Sequence, residues 1–178
     1  MEKIFYENEY VLWLEFDENM NAFLNNKCEL LEQQNIPAGI RPPHLTMTFM
    51  RCDNEEELAK TIINFFKKVN EIPLILNSIG IFSGGIVFYE PKATIELLEL
   101  YKELCQTLSK VANLSWDLYT PDRWTPHIAL TGALTGKDLN TAIAIMLDRF
   151  IGYKADRVII KLKKCFTGKE IVNYEIGR

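Results

Sequence analysis

The chain carries two histidines, His44 in RPPHLTMTFM and His127 in WTPHIALTG. Each follows a proline, Pro43 or Pro126, and each has a threonine four residues on, Thr48 or Thr131. His44 also has Thr46 two residues on, whereas the matching place after His127 is Ala129. In an extended strand alternate side chains share a face, about 6.6 Å from one to the next. Strict alternation puts His44, Thr46, Thr48 and Met50 on one face, opposite Leu45, Met47 and Phe49. The second strand then shows Thr125, His127, Ala129 and Thr131 together, opposite Ile128 and Leu130. Each strand has an apolar side for helices to cover and a side of imidazole and hydroxyls.

If the two polar faces meet across a cleft, their chemistry is defined. Imidazole titrates near neutrality, so one ring can be neutral while the other is protonated. The neutral ring takes a proton from an attacking oxygen and the charged ring gives one to a leaving oxygen. Hydroxyls hold non-bridging phosphate oxygens as charge develops there. Attack and departure lie on opposite sides of phosphorus, which two opposed imidazoles match. The reaction indicated is the opening of a cyclic phosphodiester, or its reversal, without a metal or cofactor. Zinc wants three or four protein ligands, and there is no third histidine, no HExxH and no clustered cysteine. The competing reading is that both histidines merely pack.

Other groups near the motifs are candidates for substrate contact. Arg41 precedes His44 by three residues and Arg123 precedes His127 by four; a guanidinium can clamp phosphate bidentately. Trp124, Tyr119 and Phe82 offer faces on which a base could stack. Lys161 and Lys163 share a strand face and could touch phosphates. The triplet Ser83–Gly85 is too short for a phosphate loop, and neither a Walker A nor a GxGxxG pattern occurs.

The elements that must position these residues follow from periodicity. Tyr10–Phe16 reads as a buried strand, Glu18–Gln34 as a helix, HLTMTFM as a strand, and a helix capped by Asp53 or Asn54 runs to about Val69. Two strands joined by the Ser-Gly-Gly turn follow, ended by Pro91, then an amphipathic helix over Ala93–Lys110. After a turn-rich connection come the strand HIALT, a helix over Lys137–Phe150, and closing strands at Lys154–Lys164 and Ile171–Ile176. The order of elements repeats, with one histidine strand in each half, 83 residues apart. One bilobal domain over 1–178 is expected, with lobes near 1–82 and 83–178 and their interleaving left open.

Composition bounds the rest. At 178 residues, 48% hydrophobic and 25% charged, the chain has the balance of a globular protein. The start MEKIFYENEY holds no signal-peptide core and no stretch approaches a membrane span, so a cytoplasmic protein is expected, with no membrane partner. A net charge of −4 argues against duplex DNA as partner. The segment 151–178 is locally basic: Lys154, Arg157, Lys161, Lys163, Lys164, Lys169 and Arg178 stand against Asp156, Glu170 and Glu175. That segment could receive a phosphate backbone or be a solvated face. Cys28, Cys52, Cys105 and Cys165 form no CxxC pair and read as reduced core fillers. Nothing resembles a coiled coil, and a monomer is expected.

The pair PHLTM and PHIAL, one in each half, resembles the 2H phosphoesterase superfamily, marked by two H-x-T/S motifs, in its bacterial 2′-5′ RNA ligase/cyclic phosphodiesterase-like branch. The resemblance covers essentially the whole chain in element order, with its specificity in the two short motifs. It implies an α/β (α+β) fold, bilobal and duplicated, with two antiparallel sheets flanking a central cleft and helices outside. It implies that His44 and His127 are the acid/base pair and that Thr46 binds the scissile phosphate. The substrates implied are 2′,3′-cyclic phosphate RNA ends, 2′-5′ linkages and cyclic ADP-ribose phosphates, so the partner is an RNA end or a small phosphorylated nucleotide. Ala129 departs from the pattern, and losing one such donor costs about 2.7–4 kcal/mol in a transition state. Thr125 or Thr131, a step either side, could compensate, with Thr48 a further hydroxyl in the first motif. A weakened or non-catalytic nucleotide-binding module is the alternative.

Overall fold

The computed structural model describes residues 6–177. The first five residues of the MEKIFYENEY start and Arg178 of the basic segment lie outside the described residues. Among the described residues, nine strands and four helices follow in the order β1 (Glu9–Phe16), α1 (Glu18–Gln33), β2 (Leu45–Arg51), α2 (Glu55–Phe66), β3 (Ile75–Ile81), β4 (Val87–Pro91), α3 (Ile95–Leu108), β5 (Asn113–Leu114), β6 (Ile128–Ala129), α4 (Gly136–Leu147), β7 (Tyr153–Lys154), β8 (Arg157–Lys164) and β9 (Glu170–Gly177). A short 3-10 turn, Asp117–Tyr119, sits between β5 and β6.

The strands form two antiparallel sheets, ordered β5-β2-β1-β8-β9 and β6-β4-β3-β7. Each histidine motif runs beside the first strand of its half, β2 against β1 and β6 against β4. The later strands are exchanged: β3 pairs with β4, and β8 returns to pair with β1. Neither sheet is built from one half of the chain. The continuous strand expected over Lys154–Lys164 breaks at Ala155–Asp156, leaving β7 in the smaller sheet and β8 in the larger.

The α+β class follows from the burial pattern. In β1, Leu12, Leu14 and Phe16 are buried under Leu24 and Leu31 of α1, whose apolar residues recur at helical spacing. Leu58, Ile62 and Phe66 of α2 and Leu97, Tyr101, Leu104 and Leu108 of α3 join the same core. Burying each such side chain is worth about 1.5–3 kcal/mol. Cys28, Cys52 and Cys105 are core residues, as expected, but Cys165 is half-buried just after β8. No helix among the described residues is long and apolar enough to cross a membrane.

Polar contacts away from the sheets tie the halves together. Lys27 of α1 is buried, and its ammonium donates to the carbonyls of Ile145 and Asp148 at the end of α4, meeting the negative end of that helix. Asp17 caps α1 by accepting from the Met20 amide at 3.0 Å, and its second oxygen accepts from Asp156 N at 2.9 Å, where the chain crosses between sheets. Burial pushes the Asp17 carboxyl up, but these backbone amides more than offset it and hold it below the usual carboxylate value.

Asp17→Ala is therefore expected to destabilise the fold by about 1–2 kcal/mol at neutral pH, while Asp17→Asn retains much of the cap. Because the folded pKa is lowered, this stabilisation is present above the unfolded carboxylate pKa and is lost as pH falls through the folded one. Urea unfolding should show the Ala penalty shrinking in acid.

Candidate active site

Both imidazoles are fixed the same way. His44 Nδ1 lies 2.8 Å from the carbonyl of Pro42, and His127 Nδ1 lies 2.8 Å from the carbonyl of Thr125. A carbonyl only accepts, so Nδ1 carries the proton in each ring. That leaves Nε2 of each neutral ring as the base. The residue between carbonyl and histidine is Pro43 or Pro126, which fixes its own φ and keeps the residue before it extended. The repeated Pro-His pair thus sets imidazole orientation from local backbone geometry.

The two rings line one cleft of about 530 Å³ between the sheets, within the size range of small-ligand sites. His44 and Thr46 come from the β2 side, and His127, Ala129 and Thr131 from the β6 side. Gly39 and Ile40 close one edge. They belong to the loop before β2, where Ala38 forms a bridge with Thr131 and the Gly39 amide donates to the Leu130 carbonyl at 2.7 Å. A side chain at Gly39 would meet the Ala129 carbonyl oxygen at 3.1 Å, so glycine permits this close approach.

Aromatic rings set the shape around the imidazoles. His44 stacks on Trp13 of β1 at 4.2 Å. His127 meets the edges of Phe82 and Phe88 at 4.9 and 5.6 Å. Phe49, Trp116 and Tyr119 form a further wall, with Phe49 and Trp116 stacked at 4.0 Å. The buried carboxylate of Glu9 accepts from Ser115 Oγ at 3.0 Å and the Trp116 indole at 3.4 Å, holding that wall from behind. Burial pushes both histidines below the ordinary imidazole value. The carbonyl bonds oppose this in both; at His44 Glu15 also opposes it, while Lys163 and His127 add to it.

Several expected positions are corrected. Thr48 does not share the face of His44: the β1–β2 register slips, with Leu12 facing Thr48 but Trp13 facing Thr46. The extra residue, Met47, reverses the alternation, so Thr48 is fully buried and bonded to the Phe49 carbonyl while Phe49 enters the cleft. Trp124 is also buried; its indole stacks on Tyr101 at 3.8 Å and donates to the Thr46 carbonyl at 3.1 Å, so it positions the first motif and has no face for a base. Phe82 packs on Phe88 at 4.3 Å, behind His127.

Thr125 is exposed outside the cleft and contributes its carbonyl to His127. Arg41 is ion-paired with Glu32 at 2.7 Å, outside the cleft lining. Arg123 lines a shallower depression with Arg51 and Asp117 that shares Trp116 with the cleft. Thr131 is in the cleft, its hydroxyl oxygen accepting the Val87 amide at 2.9 Å. Of the lysine pair, Lys161 is tied to Glu170 at 2.7 Å, while Lys163 lines the cleft. Trp13, Phe49, Trp116 and Glu9 were not anticipated. Trp13 lies in an unbroken apolar run, and its alternation with Val11 and Glu15 is the one signal that could have marked it. No group of three or more His, Cys, Asp or Glu converges among the described residues.

In an NMR titration of the ligand-free chain both imidazoles should titrate below about 6.5, in the Nδ1–H tautomer. Their lowered folded pKa values mean that each contributes stability that is present above the unfolded value and lost as pH falls through the folded one. A ring titrating above the free-imidazole value would contradict the burial described.

Solved structures share this architecture. E. coli LigT complexed with 3′-AMP superposes with a TM-score of 0.59 at 12% identity, over 96% of this chain and 99% of that one. A phosphoesterase crystal structure superposes with a TM-score of 0.55 at 12% identity, over 97% and 100%. A cytoplasmic dynein heavy chain of Fusarium vanettenii is 28% identical over 171 residues, which is 88% of this chain but 4% of that protein. This chain therefore spans a small fraction of the curated relative that it matches. The 2′-5′ RNA ligase superfamily profile matches residues 29–159, both histidine motifs included, and the chain belongs to that superfamily of 2H phosphoesterases.

Proposed function

We propose that the chain is a metal-independent phosphodiesterase that acts on a 2′,3′-cyclic phosphate, or a 2′-5′ phosphodiester, of RNA or a small nucleotide. The observation that carries this reading is the matched pair of imidazoles, each with Nδ1 held by a carbonyl and each facing one nucleotide-sized cleft. In the hydrolytic direction one neutral Nε2 takes a proton from water as its oxygen attacks phosphorus. The other ring, protonated, gives its proton to the departing 2′ or 3′ oxygen, so a cyclic diester and water become a monoester. Thr46, beside His44 in the cleft, is the hydroxyl donor to a non-bridging oxygen.

The lowered imidazole pKa values fit this scheme. Burial keeps the base neutral, and the anionic substrate raises the pKa of a nearby ring, restoring the proton that the acid must carry. LigT, which shares the fold, was crystallised with 3′-AMP and with phosphate, which supports a nucleotide ligand here. The aromatic wall of Phe49, Trp116 and Tyr119 gives a base a surface to stack on. Ala129 favours a second reading, a binding module that retains the cleft but turns over nothing.

Assays in EDTA on 2′,3′-cyclic nucleotides, 2′-5′ dinucleotides and cyclic-phosphate RNA ends separate the two. The enzyme reading expects a bell-shaped kcat/KM profile, which reports the free protein, with both limbs at or below about pH 6.5. The limbs of kcat should move to higher pH, because bound phosphate favours protonated imidazole. His44→Ala and His127→Ala should each lower turnover by about 10²–10⁴-fold; full activity in either would sink the assignment. Saturable nucleotide binding with no turnover of any of the three substrates would establish the module instead.

A further inference from the structure

Position 129 leaves the second motif without the hydroxyl that Thr46 supplies in the first. A phosphate between the imidazoles would have the Thr46 hydroxyl on one side and, at the matching place on the other, a methyl group. The cleft lining contains a group able to make up the charge, Lys163 of β8. Val11 of β1 lies directly across from it in the register, so Lys163 stands on the same cleft face as Val11 and Trp13. Its ammonium is 4.6 Å from the centre of the Trp13 ring, the ring on which His44 stacks at 4.2 Å.

The surrounding cations are accounted for. Lys161 is paired with Glu170, Lys164 and Lys169 with Glu55, Lys154 with Glu71 and Arg157 with Glu175. Lys163 forms no ion pair among the described residues. Glu170 feels its charge but is bonded to Lys161 at 2.7 Å. A half-buried ammonium held over an indole, facing a largely apolar cleft, has its charge balanced by water or by an anionic ligand.

We propose that Lys163 is the phosphate-binding cation of the cleft, supplying from β8 the donor that Ala129 removes from the second motif. The ammonium donates to a non-bridging oxygen and offsets the charge that builds on phosphorus oxygens, as a point charge that needs no hydroxyl at position 129. The substrate in this assignment rests on the reading under Proposed function; phosphate binding itself does not.

The test uses the full chain, with inorganic phosphate followed through the His44 and His127 ring signals, alongside turnover of 2′,3′-cyclic AMP. Lys163→Ala should weaken phosphate binding by about tenfold or more and lower kcat/KM by roughly 10²-fold, while Lys163→Arg keeps most of both. Ala129→Thr should recover about tenfold in the Lys163→Ala background. Lys154→Ala removes the same charge outside the cleft and should leave binding within about twofold. Thermal melts establish that each variant folds. Phosphate affinity unchanged in Lys163→Ala overturns the proposal. If the parent binds phosphate through Lys163 yet turns over nothing, the phosphodiesterase reading fails and the Lys163 assignment stands. Turnover indifferent to Lys163 is the converse, and a parent that binds no phosphate overturns the Lys163 assignment, leaving the phosphodiesterase reading to the turnover assay.

Discussion

A hydrogen bond from imidazole Nδ1 to the carbonyl two residues upstream recurs at His44 and His127, and the site depends on it. Without it each ring would be free to rotate and to exchange tautomers, and neither Nε2 would keep a fixed direction. The intervening proline makes the bond inexpensive in entropy, because its ring limits the backbone that carries the carbonyl. The same device in both motifs gives the cleft two equivalent groups, and the surroundings rather than the covalent chemistry must make one an acid and the other a base.

Those surroundings differ on the two walls. His44 lies on the Trp13 indole, with Lys163 and Glu15 near enough to act on its titration. His127 is packed by the edges of Phe82 and Phe88 and its shift is set by burial and the Thr125 carbonyl. The second wall is thus apolar where the first carries charge, and Ala129 extends that contrast. A low-polarity pocket strengthens each remaining electrostatic interaction with a phosphate, so a single ammonium or hydroxyl counts for more there than on an open surface.

Strand exchange holds the walls in register. With β3 crossing to β4 and β8 returning to β1, neither sheet can shift without disturbing strands from both halves. Asp17 bonds to the crossover before β8, Lys27 clamps the end of α4, and the Ala38–Thr131 bridge joins the loop of one motif to the strand of the other. Each contact joins residues distant along the chain. Together they give two short motifs a relative position that local structure alone would not provide.

Much of this is legible in the sequence itself. The helices, most of the strands and the two histidines were marked by periodicity and by the repeated Pro-His pair, because amphipathic spacing and proline restriction are local properties. Thr46 and Thr131 reached the cleft for the same reason. Alternation failed at Thr48, because one extra residue at Met47 reverses every later side chain and a bulge arises from pairing with β1 rather than from β2 itself. Trp124 was misplaced because an indole suits a base platform and a core equally, and only its contacts with Tyr101 and Thr46 decide. The basic C-terminal segment looked like a phosphate track, yet partners from α2, β9 and the residues before β3 pair its charges and leave Lys163 facing the cleft. Sequence determined which groups are present and which local geometry each prefers. Tertiary structure decided which of them meet, since register, ion pairing and burial all depend on residues far along the chain.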